Sequence, residues 1–429
     1  MLNVFVYDEF GPEDVAMMQA LYSRSPKSVT EHVEKVKKSG SGKFMETFYV
    51  GYGHASIADC GSTTIFIENI SMLGDKAIQD WQLYSGQETS TRYIDMSQQE
   101  IIDPLGTAES AKILKSWMDF YINNQEEIQQ YLMQKYPRQD DESEVVYLKA
   151  IKARGFDIMR GFLPAGITTQ LSWHTNLRQA WDHLALLRHH PLLEVRQSAE
   201  NIFNKLKEKY SNSFSHALND DQEKYRAESV MNYSYFSPET APDFSMTTNI
   251  NINELKKYQK LIDERPIKTG LPNFLNDLGS CSFDFLLDFG SFRDIQRHRN
   301  GICRMPLLTT SLGFNNWYLE QLPEKLRLEA EKLIAEQTEL INKLETSAEI
   351  KQYYIAMGFN VSCQVTYPLT AAVYVIELRS GRAVHPSLRQ IAHKMYDALI
   401  KELPNLKFHV DLSPDDWDIR RGLADIVKK

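Results

Sequence analysis

The sequence predicts an α+β protein of two lobes, each a small, mostly antiparallel sheet packed with long α-helices. Three observations lead there. Short β-branched and aromatic runs read as strands, long segments space their apolar residues at helical period, and the order of elements partly repeats in the second half. At 429 residues the chain can bury a separate core in each half. The expected division is a lobe over 1–215, a connector over 216–250 and a second lobe over 251–429.

Taken in order, Asn3-Val-Phe-Val-Tyr7 reads as a strand. Helices are expected at Glu13–Tyr22 and at Ser28–Lys38, with Ser28 as cap. Thr63–Ile70 has strand composition, and Leu73–Gln82 has helical spacing. Further helices are expected at Glu109–Gln134, Glu144–Phe162, Thr168–Arg188 and Leu192–Tyr210. Ser211–Ile252 is rich in Ser, Asn, Asp, Pro and Thr and reads as connector. Beyond it come helix Asn253–Glu264, strand Ser282–Phe289 and a short helix over Arg293–Arg299. Helices at Lys325–Thr346, Ala348–Met357, Ala371–Arg379 and Pro386–Leu403 complete the chain. Phe66, Lys76, Ile78 and Gln79 fall against Phe283, Arg293, Ile295 and Gln296 at a constant offset of 217. Leu187-Arg188 similarly resembles Leu378-Arg379.

Bulk properties narrow the function classes. With 42% apolar and 24% charged residues the composition is that of a globular protein. No apolar run reaches membrane-spanning length, and Met1-Leu-Asn-Val4 has no signal-peptide character, so a cytoplasmic location is expected. A net charge of −9 disfavours broad attraction to nucleic acid or anionic membrane. Cys60, Cys281, Cys303 and Cys363 are scattered without CxxC spacing. His174, His183, His189 and His190 lack i, i+4 spacing, so no metal is expected. GxGxxG, GxxxxGK[ST] and GxSxG are all absent.

Four constellations could carry chemistry. In Gln87-Glu-Thr-Ser-Thr-Arg-Tyr93, alternation would put Glu88, Ser90 and Arg92 on one side of an extended segment. That side would suit a phosphate and a polar ring; an edge strand with a solvated face is the plainer reading. Arg297-His298-Arg299 places three cationic or potentially cationic groups in a row, which repel unless an anion lies nearby. A basic helix end is the alternative. Gly53-His54-Ala55-Ser56 could open a helix that receives phosphate, or be an ordinary capped start. Arg160, Asn176, Arg178, Arg188, Arg379 and His385 lie on or beside helices, where arginines commonly serve the dipole.

Together these pieces resemble the flavin-dependent thymidylate synthase family (ThyX), as a tandem duplicate. The first half resembles it at Gly53-His54, at Ser85, Glu88, Ser90, Arg92 and Tyr93, at Arg160 with Leu163-Pro164, and at Asn176 with Arg178. It has Gln87 where Asn is usual and Asp80-Trp81-Gln82 where the RHR triplet belongs. The second half keeps the triplet and Leu378-Arg379 with His385, and replaces the Glu-Ser-Arg segment by Arg304–Thr309. The losses are complementary, so the resemblance implies one composite site between lobes.

It further implies reductive methylation of dUMP to dTMP, with methylenetetrahydrofolate as carbon donor, FAD as flavin and NADPH as reductant. By resemblance, Arg379 is the catalytic cation on the uracil ring. Glu88, Ser90, Arg92, Arg160 and Arg297 are the substrate-binding set. His54, Ser56, Asn176, Arg178, His298, Arg299 and His385 are the flavin-side set. A homodimer would reproduce the family's tetramer. A flavoenzyme acting on a different uracil-containing nucleotide, or a non-catalytic duplicate binding flavin or nucleotide, is the alternative.

Overall fold

The computed structural model describes residues 5, 7, 9–92, 94–238 and 241–414. About 54% of the described residues are helical, and the described strands form two small antiparallel sheets of three and four strands, the α+β class expected. Among the described residues no helix is long and apolar enough to cross a membrane. Two compact units interleave along the sequence. The first holds Met1–Ile70, Ala77–Glu88 and Gln170–Ser234; the second holds Ser71–Lys76, Thr89–Thr169 and Tyr235–Lys429.

The sheet of the first unit runs β1 (Ser62–Ser71), β3 (Thr168–Asn176), β2 (Ser85–Glu88). Strand β2 lies antiparallel on β3, with Ser85 opposite His174 and Glu88 opposite Leu171. The helix expected from Thr168 begins only at Leu177, because Thr168–Asn176 is this strand. Leu171, Trp173 and Thr175 point inward while Gln170 and His174 point outward, the period of two that a pleat imposes. Asn176 closes the strand and caps the Leu177–Leu187 helix, its Oδ1 accepting from Gln179 N at 2.8 Å.

Helices Pro12–Tyr22 and Val29–Ser39 form where expected, the second capped by Ser28. They bury Met17 and Met18 against Val33 and Val36, with Tyr7 and Phe10 packed alongside. Of the expected N-terminal strand, Asn3, Val4 and Val6 lie outside the described residues, and Phe5 and Tyr7 are in no strand. The expected connector is partly ordered. It contains the Asp220–Tyr233 helix, with Asn219 as cap and an acidic first turn that suits the dipole, and strand β4 (Phe244–Thr248).

The sheet of the second unit is β4, β5 (Ser280–Asp288), β7 (Asn360–Pro368), β6 (Ile302–Cys303). Register runs from Ser280 opposite Pro368 to Asp288 opposite Asn360, with Phe244 opposite Phe285 on the other edge. Cys281, Phe283, Phe285 and Leu287 alternate into the core. The expected Glu109–Gln134 helix breaks at Asn124, whose side chain donates to Phe120 O at 2.9 Å, into Ala108–Asn123 and Gln125–Lys135. The Asn253–Glu264 stretch is likewise divided into short turns.

Duplication is visible inside this unit. After the Glu144–Met159 helix comes a single turn, Arg160–Phe162, and the turn Gln352–Tyr354 is its counterpart at an offset of 192. The two turns exchange reciprocal backbone bonds. Ala165 N donates to Ile355 O at 2.9 Å and Met357 N to Leu163 O at 2.8 Å; Gly166 N donates to Tyr353 O at 2.9 Å and Gly358 N to Gly161 O at 2.7 Å. Each bond maps onto its mate at the same offset, which is the self-complementary contact of a two-fold interface.

Candidate active site

Asp288 ends β5 and caps the Phe289–Ile295 helix, its Oδ2 accepting from Ser291 N at 2.8 Å. The helix stops at Ile295, so Arg297-His298-Arg299 lies in the turn beyond it rather than on the helix expected over Arg293–Arg299. Arg297 is exposed, and His298 and Arg299 are half-buried. On the Leu369–Arg379 helix, the last residue donates from its guanidinium to His298 Nε2 at 2.7 Å and to Asp294 O at 2.6 Å. His298 Nε2 therefore carries no proton. Burial first, and the neighbouring Arg379 charge next, hold this imidazole neutral with a pKa of about 3.

Strand β2 ends at Glu88, and the chain turns at once. Arg92 N donates to Ser90 Oγ at 3.3 Å, and Ile94 N to Ser90 O at 3.2 Å. Glu88, Ser90 and Arg92 thus do not share one side of an extended segment, and Tyr93 lies outside the described residues. The turn aims Arg92 at Asp157 through Nε and through Nη2 at 3.2 Å; Nη2 also donates to Ala383 O at 3.2 Å. Burial works against the Arg92 charge, and Asp157 more than offsets it.

Three residues after Asp157, in the turn that follows its helix, Arg160 is 2% exposed and points into the unit. Its Nη2 donates to Ser291 Oγ at 2.8 Å, its Nε meets Tyr318 OH at 3.4 Å, and Asp288 lies 3.9 Å away. Tyr318 OH donates to Asp288 Oδ2 at 2.7 Å, and Ser387 Oγ donates to Asp288 Oδ1. His385 is buried in this cluster, its Nδ1 2.8 Å from Ser387 Oγ and 3.2 Å from Ser291 Oγ.

These cations converge on one acid. Burial raises the pKa of Asp294, yet the guanidiniums of Arg297, Arg379, Arg160 and Arg92 outweigh it and hold the carboxyl below its usual range. Arg379 feels the reverse: burial and Arg297 weaken its charge, while Asp294 supports it. Four arginines facing Asp157, Asp288 and Asp294 leave a surplus of positive charge, which suits a small anion.

The remaining expected residues lie in the first unit. Glu88 accepts from Gln79 Nε2. His54 is exposed, stacked near Phe48 and Tyr52 at 6.3 and 6.1 Å between ring centroids, and precedes a six-residue 3₁₀ turn, Ala55–Cys60, that includes the exposed Ser56. Asn176 serves as helix cap, and Arg178 pairs with Asp59 at 2.7 Å. The resemblance of Arg188 to Arg379 is out of register. Both helices are 11 residues long, Leu177–Leu187 and Leu369–Arg379, so Leu187 occupies the position of Arg379. One residue turns a helix by about 100°, which sends Arg188 to Glu223 at 3.5 Å.

Sequence reasoning did not single out Asp157, Asp288, Asp294, Tyr318, Ser291 or Ser387. Asp157 stands one turn before Arg160 and Asp294 three residues before Arg297, so an acid one helical turn from each arginine was a legible sign.

A UPF0159 protein of Thermoplasma acidophilum is 24% identical, covering 97% of this chain and 98% of its own length. A UPF0159 protein of Chlamydia muridarum is 26% identical over 85% of this chain and 80% of its own, and one of Chlamydia pneumoniae is 22% identical over 84% and 78%. Residues 6–210 match the family described as thymidylate synthase complementing protein.

Proposed function

We propose that the protein is a flavin-dependent thymidylate synthase, methylating dUMP with methylenetetrahydrofolate and reduced FAD, with NADPH as reductant. The observation that carries this reading is the contact of arginines from the first half of the sequence with the second: Arg92 Nη2 donates to Ala383 O at 3.2 Å and Arg160 Nη2 to Ser291 Oγ at 2.8 Å, on the segments that carry Arg379 and Arg297. A composite site needs that meeting.

In this reading Arg92 and Ser90 hold the nucleotide phosphate, with Arg160 behind them and Arg297 beside them. Glu88 belongs to the same nucleotide set. Arg379 is held by neutral His298 and by the Asp294 carbonyl, so its guanidinium is fixed before substrate arrives and can stabilise negative charge on the uracil ring. The donor set suits a flavin diphosphate: Arg299 and His298 sit in a turn with accessible surface, and exposed His54 belongs to an aromatic row with Phe48 and Tyr52. Ser56, Asn176, Arg178 and His385 complete the flavin-side proposal. When bound, the flavin supplies the hydride, and the protein supplies position and charge. Assembly as a homodimer belongs to the same proposal, and light scattering would check it.

The test is direct. The purified protein should show a flavin absorption band and release tritium from C5-labelled dUMP only when methylenetetrahydrofolate is present. Flavin binding without release from dUMP would overturn thymidylate synthesis and leave another uracil nucleotide as substrate. A colourless protein that takes up no added FAD would overturn the flavoenzyme reading.

A further inference from the structure

The C-terminal segment beyond the Pro386–Glu402 helix has no regular secondary structure over Asn405–Ser413, yet its alternate residues, Asn405, Lys407, His409, Asp411 and Ser413, are tied to the second unit. Asn405 O accepts from Gln259 Nε2 at 2.8 Å, and Lys407 O accepts from Arg265 Nη2 at 3.0 Å. His409 N donates to Glu377 Oε1 at 2.8 Å, and His409 Nε2 lies 3.0 Å from Arg265 O. Arg265, 4% exposed, pairs with that same Glu377. Farther along, Asp411 N donates to Ser380 Oγ at 3.1 Å, and Asp411 O accepts from Arg389 Nη2 at 3.1 Å and lies 2.9 Å from His393 Nε2. Arg389, also 4% exposed, donates from Nε to Ser380 O at 2.6 Å, and Arg382 Nε donates to Ser413 Oγ at 2.7 Å.

The places these bonds reach are not scattered. Glu377 and Ser380 flank Arg379, and Arg382 precedes Ala383, whose carbonyl receives Arg92. An irregular stretch of chain held at alternate residues is costly to order, and its bonds through Glu377, Ser380 and Arg382 fall beside the groups that carry Arg379 and receive Arg92.

We infer that Asn405–Ser413 is a positioning strap: through Glu377, Ser380, Arg382 and Arg389 it fixes the last turn of the Leu369–Arg379 helix and the loop 380–385, and with them Arg379 and the acceptor of Arg92. Asp411 and Ser413 are its positioning residues. The activity readout rests on the proposed thymidylate synthesis; the structural readout does not.

Asp411 also uses its side chain, Oδ1 accepting from Ser413 N at 3.0 Å and lying 3.5 Å from Arg389 Nη2, with Oδ2 3.6 Å from Arg382 Nε. The experiment uses the full chain with Asp411→Ala, Ser413→Ala and the milder Asp411→Asn, which keeps one oxygen for Ser413 N and Arg389. Amide hydrogen exchange at Ser380 and Val384 should speed up at least tenfold in Asp411→Ala, with an intermediate change in Asp411→Asn and none in the Pro12–Tyr22 helix. The dUMP KM, or its Kd by calorimetry, should rise about tenfold, with kcat changed less. Unchanged exchange at Ser380 and Val384 overturns the strap, whatever the activity. Accelerated exchange with unaltered dUMP affinity overturns its link to the site. If wild-type protein binds no dUMP, the proposed function falls, and exchange alone decides the strap.

Discussion

The buried pair of Arg160 and Asp288 can be tested with the chain's own counterpart as the template. At an offset of 192, Arg160 maps to Gln352, which is fully buried and satisfied as a neutral amide: Leu308 N donates to its Oε1 at 2.9 Å, and its Nε2 donates to Glu349 O at 3.1 Å. At the offset of 217 the neighbourhood of Asp288 maps to Ser71, which caps its own helix by accepting from Gly74 N at 3.0 Å. Arg160→Gln and Asp288→Ser therefore convert the charged pair into residues this fold already uses. At 3.9 Å and an effective dielectric of about 20, the attraction is about 4 kcal/mol. Arg160→Gln alone strands a buried carboxylate that keeps Tyr318, Ser387 and Ser291 as donors, so the cost should be about 3 kcal/mol. The double variant removes both charges and should cost about 1–2 kcal/mol, leaving a coupling of about 2 kcal/mol or more. Urea unfolding monitored by circular dichroism measures the cycle, and dUMP calorimetry on the double variant should show loss of binding. Additivity within about 0.5 kcal/mol would refute the pairing. A folded double variant that binds dUMP like wild type would remove Arg160 from the anion site.

Asp157→Asn should destabilise the fold by about 2 kcal/mol and yet tighten dUMP binding several-fold, since it withdraws a negative charge beside Arg92; both effects weakening together would show that Asp157 only orients. Arg379→Ala should lower turnover by about two to three decades with folding intact, and unimpaired tritium release would remove its role. His183, His190 and His298 stay neutral in the folded chain, with pKa values of about 4, 3 and 3, principally through burial. The unfolded chain protonates them near 6.5, so stability is full above that pH and falls as pH drops from about 6.5 toward 4, by about 1.4 kcal/mol per histidine per pH unit. A midpoint of thermal unfolding that stays flat from pH 7 to pH 5 would contradict this. Gly161→Ala would place a Cβ 2.7–2.9 Å from the Tyr318 ring and should cost a few kcal/mol in urea unfolding, because Tyr318 would have to leave Arg160 and Asp288.

Amphipathic helices with caps were legible because local chemistry decides them: Ser28 and the Pro386 start fall where the pattern placed them. Thr168–Asn176 was not, because Thr168, Leu171 and Thr175 fit helical spacing (i, i+3, i+7) as well as Leu171, Trp173 and Thr175 fit strand spacing. Only pairing with β1 and β2 on either side selects the strand. The triplet could be found as a motif, but its backbone could not be read, since the end of the Phe289–Ile295 helix depends on where Arg379 and Asp294 meet it. The acids of the site were the harder part. An aspartate near an arginine is common in any sequence, and burial separates Asp157 and Asp288 from solvated pairs such as Lys115 with Asp119.

The register of Leu187 against Arg379 bears on why charges are unevenly shared between the two halves. If Arg160 and Arg379 were present to stabilise the fold, their counterparts would need cations with matching acids. Instead the counterparts are Gln352 and Leu187, and the place of Asp288 is taken by Ser71. The fold forms the same turns, strands and helices with neutral residues there, so structure alone does not require the charges. Charges divided between the copies, Arg160 in one and Asp288 and Arg379 in the other, each with a neutral counterpart, are explained by a ligand that only the composite arrangement must bind, because buried charges without such a task are more cheaply replaced by neutral, hydrogen-bonded groups.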